Sequence, residues 1–386
     1  MSQDADSIAS TLARPTVRGG LPPRASLHLR PVWRVTVKGQ DVSARMAPRL
    51  VRLSISDSRE AEADEVELVI SDHDGAVALP STGDPLTVAI GWQASATGSN
   101  QRAVTQDDAG DFPLGLIDKG SYTIQAVEYS GAPDVITIRA RAADMLDDLR
   151  MLRDQSWHAT TVGAILRSIA GRAKLKARID PQISVRKVKH ADQAQESDAS
   201  FVRRLGKQFD CIATIKAGCL LFSQARAART PSGTALPAVQ IVRRDGDSHR
   251  YARSDREAYS GVKAFYSNTK AGTRKSVVAG ISGRAKTLRA TFASEADALA
   301  AARAEWLRVQ RGIYSFDITL GYGRADLMPQ RPAVVTGYKP QIDETPWIIT
   351  SVRHTLEAGG YTSQITLETM QAEGVEGGDE ASANAD

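Results

Sequence analysis

Apolar and polar residues alternate over much of the first third of the chain. The pattern starts after Pro31 with Val32-Trp33-Arg34-Val35-Thr36-Val37, and Gly39-Gln40-Asp41 supplies a turn. Further alternating runs predict strands at Leu50–Ser56, Glu65–Ser71, Leu86–Trp92, Phe112–Ala126 and Asp134–Ala142. Asp72-His73-Asp74-Gly75 and Ser81-Thr82-Gly83-Asp84 are turn clusters between them. Strands at this spacing predict an antiparallel barrel or sandwich. Residues 94–111 are a polar loop long enough to touch a partner.

The period changes after Met145. Thr161 is placed to cap a helix whose Val162, Ile165, Leu166 and Ile169 share one face, closed by Gly171. A second helix runs to about Phe209, and Cys211–Ile215 with Cys219–Phe222 predicts a hairpin through Gly218. Residues 224–237 are a loop. Strands follow at Val239–Arg243, Tyr259–Asn268 and Ser276–Ala279. Ser294–Arg311 is the strongest helix: Ser294 caps it, Glu295 and Asp297 lie in its first turn, Arg308 and Arg311 in its last, and Gly312 stops it. Ile313–Gly321, Ala333–Thr336 and Trp347–Leu356 are strands, and Gly359-Gly360 turns the chain into Tyr361–Met370. The reading is α+β and mainly β: a flexible arm (1–28), a first β-domain (29–144), a small α/β insert (145–237), a second β-domain with one helix (238–370) and a disordered acidic tail (371–386).

Composition limits the chemistry. Of 386 residues 42% are hydrophobic and 24% charged, which fits a soluble globular chain of two to four domains. Lys and Arg total 49 against 45 Asp and Glu, too balanced to argue for nucleic acid from the total alone. No stretch reaches the about 20 apolar residues of a membrane helix, and the N-terminus has no secretory pattern, so synthesis in the cytoplasm is expected. Cys211 and Cys219 offer neither a disulfide framework nor a metal spacing, although they could face each other across their hairpin.

Motif candidates fare poorly. Asp72-His73-Asp74-Gly75 lacks the further ligands of a calcium loop. His28, His73, His158, His190, His249 and His354 form no zinc pattern. Ser156-Trp157-His158 could be drawn into a triad with a distant Asp, but no G-x-S-x-G elbow supports it. Gly280–Lys286 lacks the phosphate-loop spacing, and Gly321-Tyr322-Gly323 is a strand-end turn. No cofactor, metal or catalytic residue is expected. Residues 139–189 hold twelve bases and five acids, which reads as a solvated face or a docking surface for an acidic partner or DNA.

His190 to Leu205 is the most informative segment. A polar approach leads to Glu196-Ser197-Asp198. Ser197 is placed as an N-cap, Asp198 in the first turn, and Phe201, Val202 and Leu205 on one helix face. The order Gln193-x-x-Glu196-Ser197-Asp198-x-x-Phe201-x-x-Arg204-Leu205 resembles a segment of phage late control gene D proteins, the tail-hub proteins of contractile-tailed phages, related to the N-terminal half of type VI secretion spike proteins (VgrG). Three further stretches carry the resemblance in the same order. Leu53–Asp57, Glu62–Leu68, Asp72–Gly75, Leu79-Pro80, Gly83 and Ile90-Gly91-Trp92 form one, and Arg139–Asp144 through Ser156-Trp157 another. The last runs from Ala300–Glu305 through Trp347–His354 to Gly359–Thr362. Trp347 and His354 join the signature as structural positions.

The resemblance implies a scaffold of the virion tail baseplate. Each subunit would carry two tail-tube-like β-domains, and a homotrimer would present a pseudo-sixfold ring to the hexameric tail tube. The opposite face would hold a trimeric spike, expected to be a separate protein because no β-helix repeat follows residue 370. Other baseplate proteins are expected neighbours, with transient DNA or tape-measure contact in the lumen. Two readings of other classes stand beside it: a hub-associated peptidoglycan-degrading enzyme, which needs a carboxylate pair or zinc site, and a nucleic-acid-binding module built on residues 139–189.

Overall fold

A computed structural model describes residues 27–59, 64–96, 112–142, 147–216, 218–225, 228–253, 259–268, 273–281 and 283–370. Most of the predicted arm, residues 97–111 of the polar loop and the acidic tail lie outside the described residues.

The first block holds β1 (Leu27–Val37), β2 (Gln40–Asp41), β3 (Leu50–Ser58), β4 (Glu65–Ser71), β5 (Pro85–Ala96), β6 (Gly115–Ser130) and β7 (Val135–Ala142), paired antiparallel in the order β3-β4-β7-β6-β5-β1-β2. The period-2 alternation puts one set of side chains inside. Leu53, Ile55, Val66, Leu68, Ile70, Leu86, Val88, Ile90, Ile124, Ile136 and Ile138 are fully buried in one core. The other face is wet, and opposite charges sit on neighbouring strands. Arg52 lies 2.6 Å and Arg139 3.1 Å from Glu67.

The insert follows: β8 (Leu152–Thr161), a helix at Val162–Arg172, β9 (Lys176–Ile179), β10 (Lys187–Ser197), a helix at Asp198–Phe209, β11 (Cys211–Lys216) and β12 (Cys219–Gln224). β8 and β10 form a two-stranded ribbon. β11, β12 and β9 form a three-stranded sheet, with β12 and β9 parallel. Thr161 caps the first helix, accepting from the Ala164 amide at 3.2 Å. Ile165, Leu166 and Ile169 meet Phe201, Leu205 and Phe222 in a separate core.

The remainder holds β13 (Val239–Val242), β14 (Gly246–Arg253), β15 (Gly261–Asn268), β16 (Thr273–Gly280), β17 (Ala285–Phe292), the helix Glu295–Arg311, β18 (Tyr314–Leu320), β19 (Pro332–Thr336), β20 (Trp347–Glu357) and β21 (Gly360–Thr369). β15, β16 and β17 do not join the main sheet. They form their own, with the long helix packed on one face through Ala298 and Ala302. Ser294 caps that helix.

The α+β, mainly β class is the one observed, but no barrel closes among the described residues. The two β-rich parts are fused edge to edge, because β20 pairs antiparallel with β3 from Ser351↔Ser58 to Glu357↔Arg52. One 13-stranded sheet results, ordered β14-β18-β21-β20-β3-β4-β7-β6-β5-β1-β2, with β19 and β13 branching from β20. The strands absent from the sequence reading are β2, β8, β9, β10, β14 and β17. β2 falls in the Gly39–Asp41 segment read as a turn, and β9 is only four residues long. β8 and β10 turn Arg153, Gln155 and Gln193 inward instead of apolar side chains, and β14 is a largely exposed end strand.

Side-chain contacts also tie the parts together. At the fused seam, Trp92 Nε1 donates to the Gly323 carbonyl at 2.6 Å, and the Trp92 and Tyr361 rings lie 5.4 Å apart. A Cβ on Gly323 would meet the Tyr361 ring at 2.5 Å, so only glycine lets this loop lie flat on the ring. Between insert and long helix, Arg311 grips Asp210 through two bonds of 2.6 and 2.7 Å, both residues buried. Asp210 ends its helix in the left-handed region at φ 52°.

Gly323→Ala is expected to cost about 1–3 kcal/mol through overpacking. Gly321→Ala, whose Cβ meets only Asp247 at 3.9 Å, should cost far less. Equal melting temperatures for the two variants would contradict the close approach. Asp210→Ala is expected to cost about 3–5 kcal/mol in denaturant unfolding, because it removes the carboxylate that a buried guanidinium grips. Arg52→Ala, at an exposed pair, should cost less than about 1 kcal/mol.

Candidate functional site

The signature segment of the insert surrounds one buried carboxylate, Asp198. β10 carries a register shift between Gln193 and Glu196, with Gln195 at φ 45°. Gln193 faces inward on the same side as Ala191, before the shift, and Ser197 after it caps the helix, accepting from the Ser200 amide at 3.2 Å. Asp198 is 1% exposed and lies beneath two guanidiniums, Arg172 at 2.7 Å and Arg153 at 3.2 Å. Gln193 Nε2 donates to it at 2.8 Å and to the Glu196 carbonyl at 2.9 Å. Arg204 pairs with Glu196 at 2.8 Å and lies over the Phe201 ring at 4.8 Å, while Phe201 and Leu205 are fully buried. The sequence reading gave Asp198 a first-turn role. Its ion pairing was invisible there because Arg153 belongs to an unrecognised strand.

Trp347 and His354 lie elsewhere, on β20. Trp347 is buried and donates to the Ile342 carbonyl at 2.9 Å. His354 faces Ile55 across the seam, with Ser363 at 2.8 Å and the Tyr361 hydroxyl at 3.0 Å from its Nδ1. Burial, then the charge of Lys119, pushes the imidazole well below its ordinary value, so it is neutral at pH 7. The structure therefore gathers seven of the nine signature residues in the insert and leaves Trp347 and His354 in the main sheet.

The triad drawn from Ser156 and His158 does not assemble. Ser156 Oγ donates to Asp192 at 2.6 Å, not to a histidine. His190 binds the other oxygen of Asp192 at 2.7 Å, and its Nδ1 lies 3.0 Å from that of His158, its partner across the ribbon. A hydroxyl held by a carboxylate without a base is not an activated nucleophile. Among the described residues no three His, Cys, Asp or Glu side chains are placed to hold a metal. The Asp72–Gly75 turn is closed by Arg49, whose Nη1 lies 2.6 Å from Asp74. That bond holds the Asp74 carboxyl below its usual range. Cys211 pairs with Gln224 and Cys219 with Lys216, so the two thiols do not face each other. Gly280–Lys286 leads into β17, not a helix. Of the basic run, Arg139, Arg153 and Arg172 are taken up in ion pairs.

One carboxylate pair escaped the sequence reading. Lys216, at the tip of the insert hairpin, lies 2.8 Å from Asp57 and 2.9 Å from Asp64 of the main sheet. Beneath them Lys119 donates to the Ala325 and Leu327 carbonyls at 3.2 and 3.4 Å. Burial, then the charge of Asp57, raises Asp64 to about 6, with Lys216 opposing. The ammonium occupies the space a substrate would need between the two acids, so the pair serves as a clamp between insert and sheet.

Asp64 holds its proton in the folded state to a higher pH than the ordinary carboxylate value of about 3.9. Its contribution to stability is fully present below about pH 4 and lost as pH rises through about 6. Asp64→Asn is therefore expected to be more favourable relative to wild type at pH 7.5 than at pH 4.5. Thermal melts across this range test it, and a pH-independent difference would refute it.

The comparisons with known proteins match this geometry. The phage tail baseplate hub (GPD) family matches residues 62–360. The chain is 36% identical over 385 residues to the "Probable baseplate hub protein" of Escherichia phage 186, and 35% identical over 384 residues to that of Escherichia phage P2. In both cases the match covers 89% of this chain and 94% of the relative. Its fold is similar to that of a tail protein from Neisseria meningitidis MC58, with a TM-score of 0.60 at 12% identity, covering 88% of this chain and 96% of that one. A match across most of the chain at this identity, on a mainly β scaffold, establishes that the chain belongs to the phage tail baseplate hub family, as a structural protein of the virion tail.

Proposed function

We propose that this hub protein acts as a non-enzymatic ring of three copies that joins a hexameric tail tube to a trimeric spike. The observation that carries the reading is the fused sheet: each chain brings two mainly antiparallel β blocks joined through β3 and β20. Three copies then offer six blocks, the number a sixfold tube requires. A ring of identical copies needs a heterologous interface that closes, and a fused sheet fixes the angle between its two blocks as such closure demands. In this arrangement residues 29–144 and 238–370 contribute the two blocks, and residues 145–237 are the insert beside them.

A scaffold role fits the side-chain chemistry. Asp57 and Asp64 are clamped by Lys216, and Ser156 donates to Asp192. Neither arrangement leaves an acid–base pair open to a polysaccharide. Mass photometry of the purified 41.5 kDa chain, alone and with tube and spike proteins, tests the reading. The expected species is a trimer that binds both. Monomers only at micromolar concentration, with both partners present, would overturn it. Release of soluble fragments from purified cell wall would overturn the non-enzymatic part.

A further inference from the structure

Among the described residues, the small sheet of β15, β16 and β17 is covered on one face only. Val262 and Ala264 of β15, Ala279 of β16 and Leu288 and Phe292 of β17 pack against Ala298, Ala302 and Trp306 of the long helix. Alternation sends Lys263, Phe265 and Ser267 to the other face, where the register sets Val278, Ser276 and Arg274 beside them. At its centre is the half-buried Phe265 ring. The Arg274 guanidinium carbon lies 3.8 Å from the ring centroid, and the Lys263 ammonium lies 5.4 Å from it. Arg274, Ser276, Thr287, Arg289 and Thr291 are exposed.

The charge on these strands has one sign. They carry Lys263, Arg274, Lys275, Lys286 and Arg289 and no acid. The nearby acids lie on the helix side: Glu305 pairs with Lys286 at 3.0 Å, and Glu295 accepts from the Tyr266 hydroxyl at 3.2 Å. Lys263, Arg274 and Arg289 form no ion pair with a described residue, so their charge faces solvent.

We propose that this open face binds single-stranded nucleic acid. A stacked aromatic–guanidinium pair at the centre of a sheet offers a flat surface to a base, and bases on either side meet the phosphates on both flanks. An acidic peptide would use the charges but leave the Phe265–Arg274 stack without a role. A duplex hides the base faces that the stack would engage. The surface is distinct from the basic run at residues 139–189, and the inference stands independently of the ring.

Fluorescence anisotropy of a fluorescein-labelled 20-nucleotide single strand, titrated with the full chain between about 50 and 200 mM salt, tests the proposal. Binding is expected to weaken steeply with salt. Replacing Lys263, Arg274 and Arg289 together by Ala should reduce the log–log salt slope by about 2, at about 0.7 per lost phosphate contact. Phe265→Ala should weaken binding about tenfold or more with the slope unchanged. Phe265→Leu, which keeps apolar bulk but no ring, separates stacking from packing and should behave like Phe265→Ala. Absence of binding at 50 mM salt overturns the proposal. So does a Phe265→Leu variant that binds as wild type does, or polyglutamate competing as well as unlabelled strand at equal charge, since either would mark a charge-only surface for an acidic protein.

Discussion

The pairing of β20 with β3 is the constraint on which the rest of the main sheet depends. Seven consecutive residue pairs, from Ser351↔Ser58 to Glu357↔Arg52, join strands almost 300 positions apart. Because strand side chains alternate with a strict period of two, a slip of one residue would turn Leu356 and Val352 out to solvent and Arg353 inward. The register is held from both sides of the ladder. Leu356 and Tyr361 belong to the core of the first block, and Val352 and Ile365 to that of the second. Between the two cores the buried face carries His354 and Ser363, which hydrogen-bond each other at 2.8 Å. A polar pair at this point costs little when matched and much when mismatched, so it favours one register over its neighbours.

The same logic runs through the buried charges. The Asp210–Arg311 pair joins residues 101 positions apart, at a helix end that no apolar contact alone would orient. Asp198 joins β8, β10 and two helices through Arg153, Arg172 and Gln193. Ion pairs of this kind contribute little net stability once desolvation is counted. Their geometric demand is strict, since a guanidinium that misses its carboxylate is a buried, unpaired charge. They specify how the insert and the long helix sit together, while Phe201, Leu205 and the Ala298–Ala302 stripe supply the burial.

The parts of this architecture legible in the sequence follow from pattern strength. β3, β4, β7, β21 and the second half of β20 alternate cleanly because one face meets a core and the other water, and the helix Glu295–Arg311 has a cap, first-turn acids and last-turn bases. β8 and β10 were not legible, because their inward positions serve Asp198 with polar side chains. The ribbon they form also hid the contact of His158 with His190, whose 32-residue separation matches no motif spacing. The fusion through β3 and β20 was not legible either. Nothing in two alternating strands states which distant edge each will pair, and a strand at a seam has the same period as one inside a block. The 193–205 signature was readable as words, while its centre, the carboxylate of Asp198, needed the partners that β8 brings.

The ends of the main sheet bear on how copies can meet. An unpaired strand edge invites another chain, and proteins commonly blunt it with charge or proline. β1, at one end beside the two-residue β2, carries Arg30, Pro31 and Arg34, and β14, at the other, carries His249, Arg250 and Arg253. Adding β14 of one copy to β1 of the next would set arginines against arginines and meet a proline that has no amide to donate. Simple extension of the sheet from copy to copy is therefore disfavoured, which also blocks open-ended filaments. A closed assembly must use the faces and loops of the blocks, or bring acidic side chains to these edges. The fused sheet resolves this tension: it makes its most sequence-distant β–β junction within the chain, through β3 and β20, where register can be held by two cores, and leaves basic edges outside.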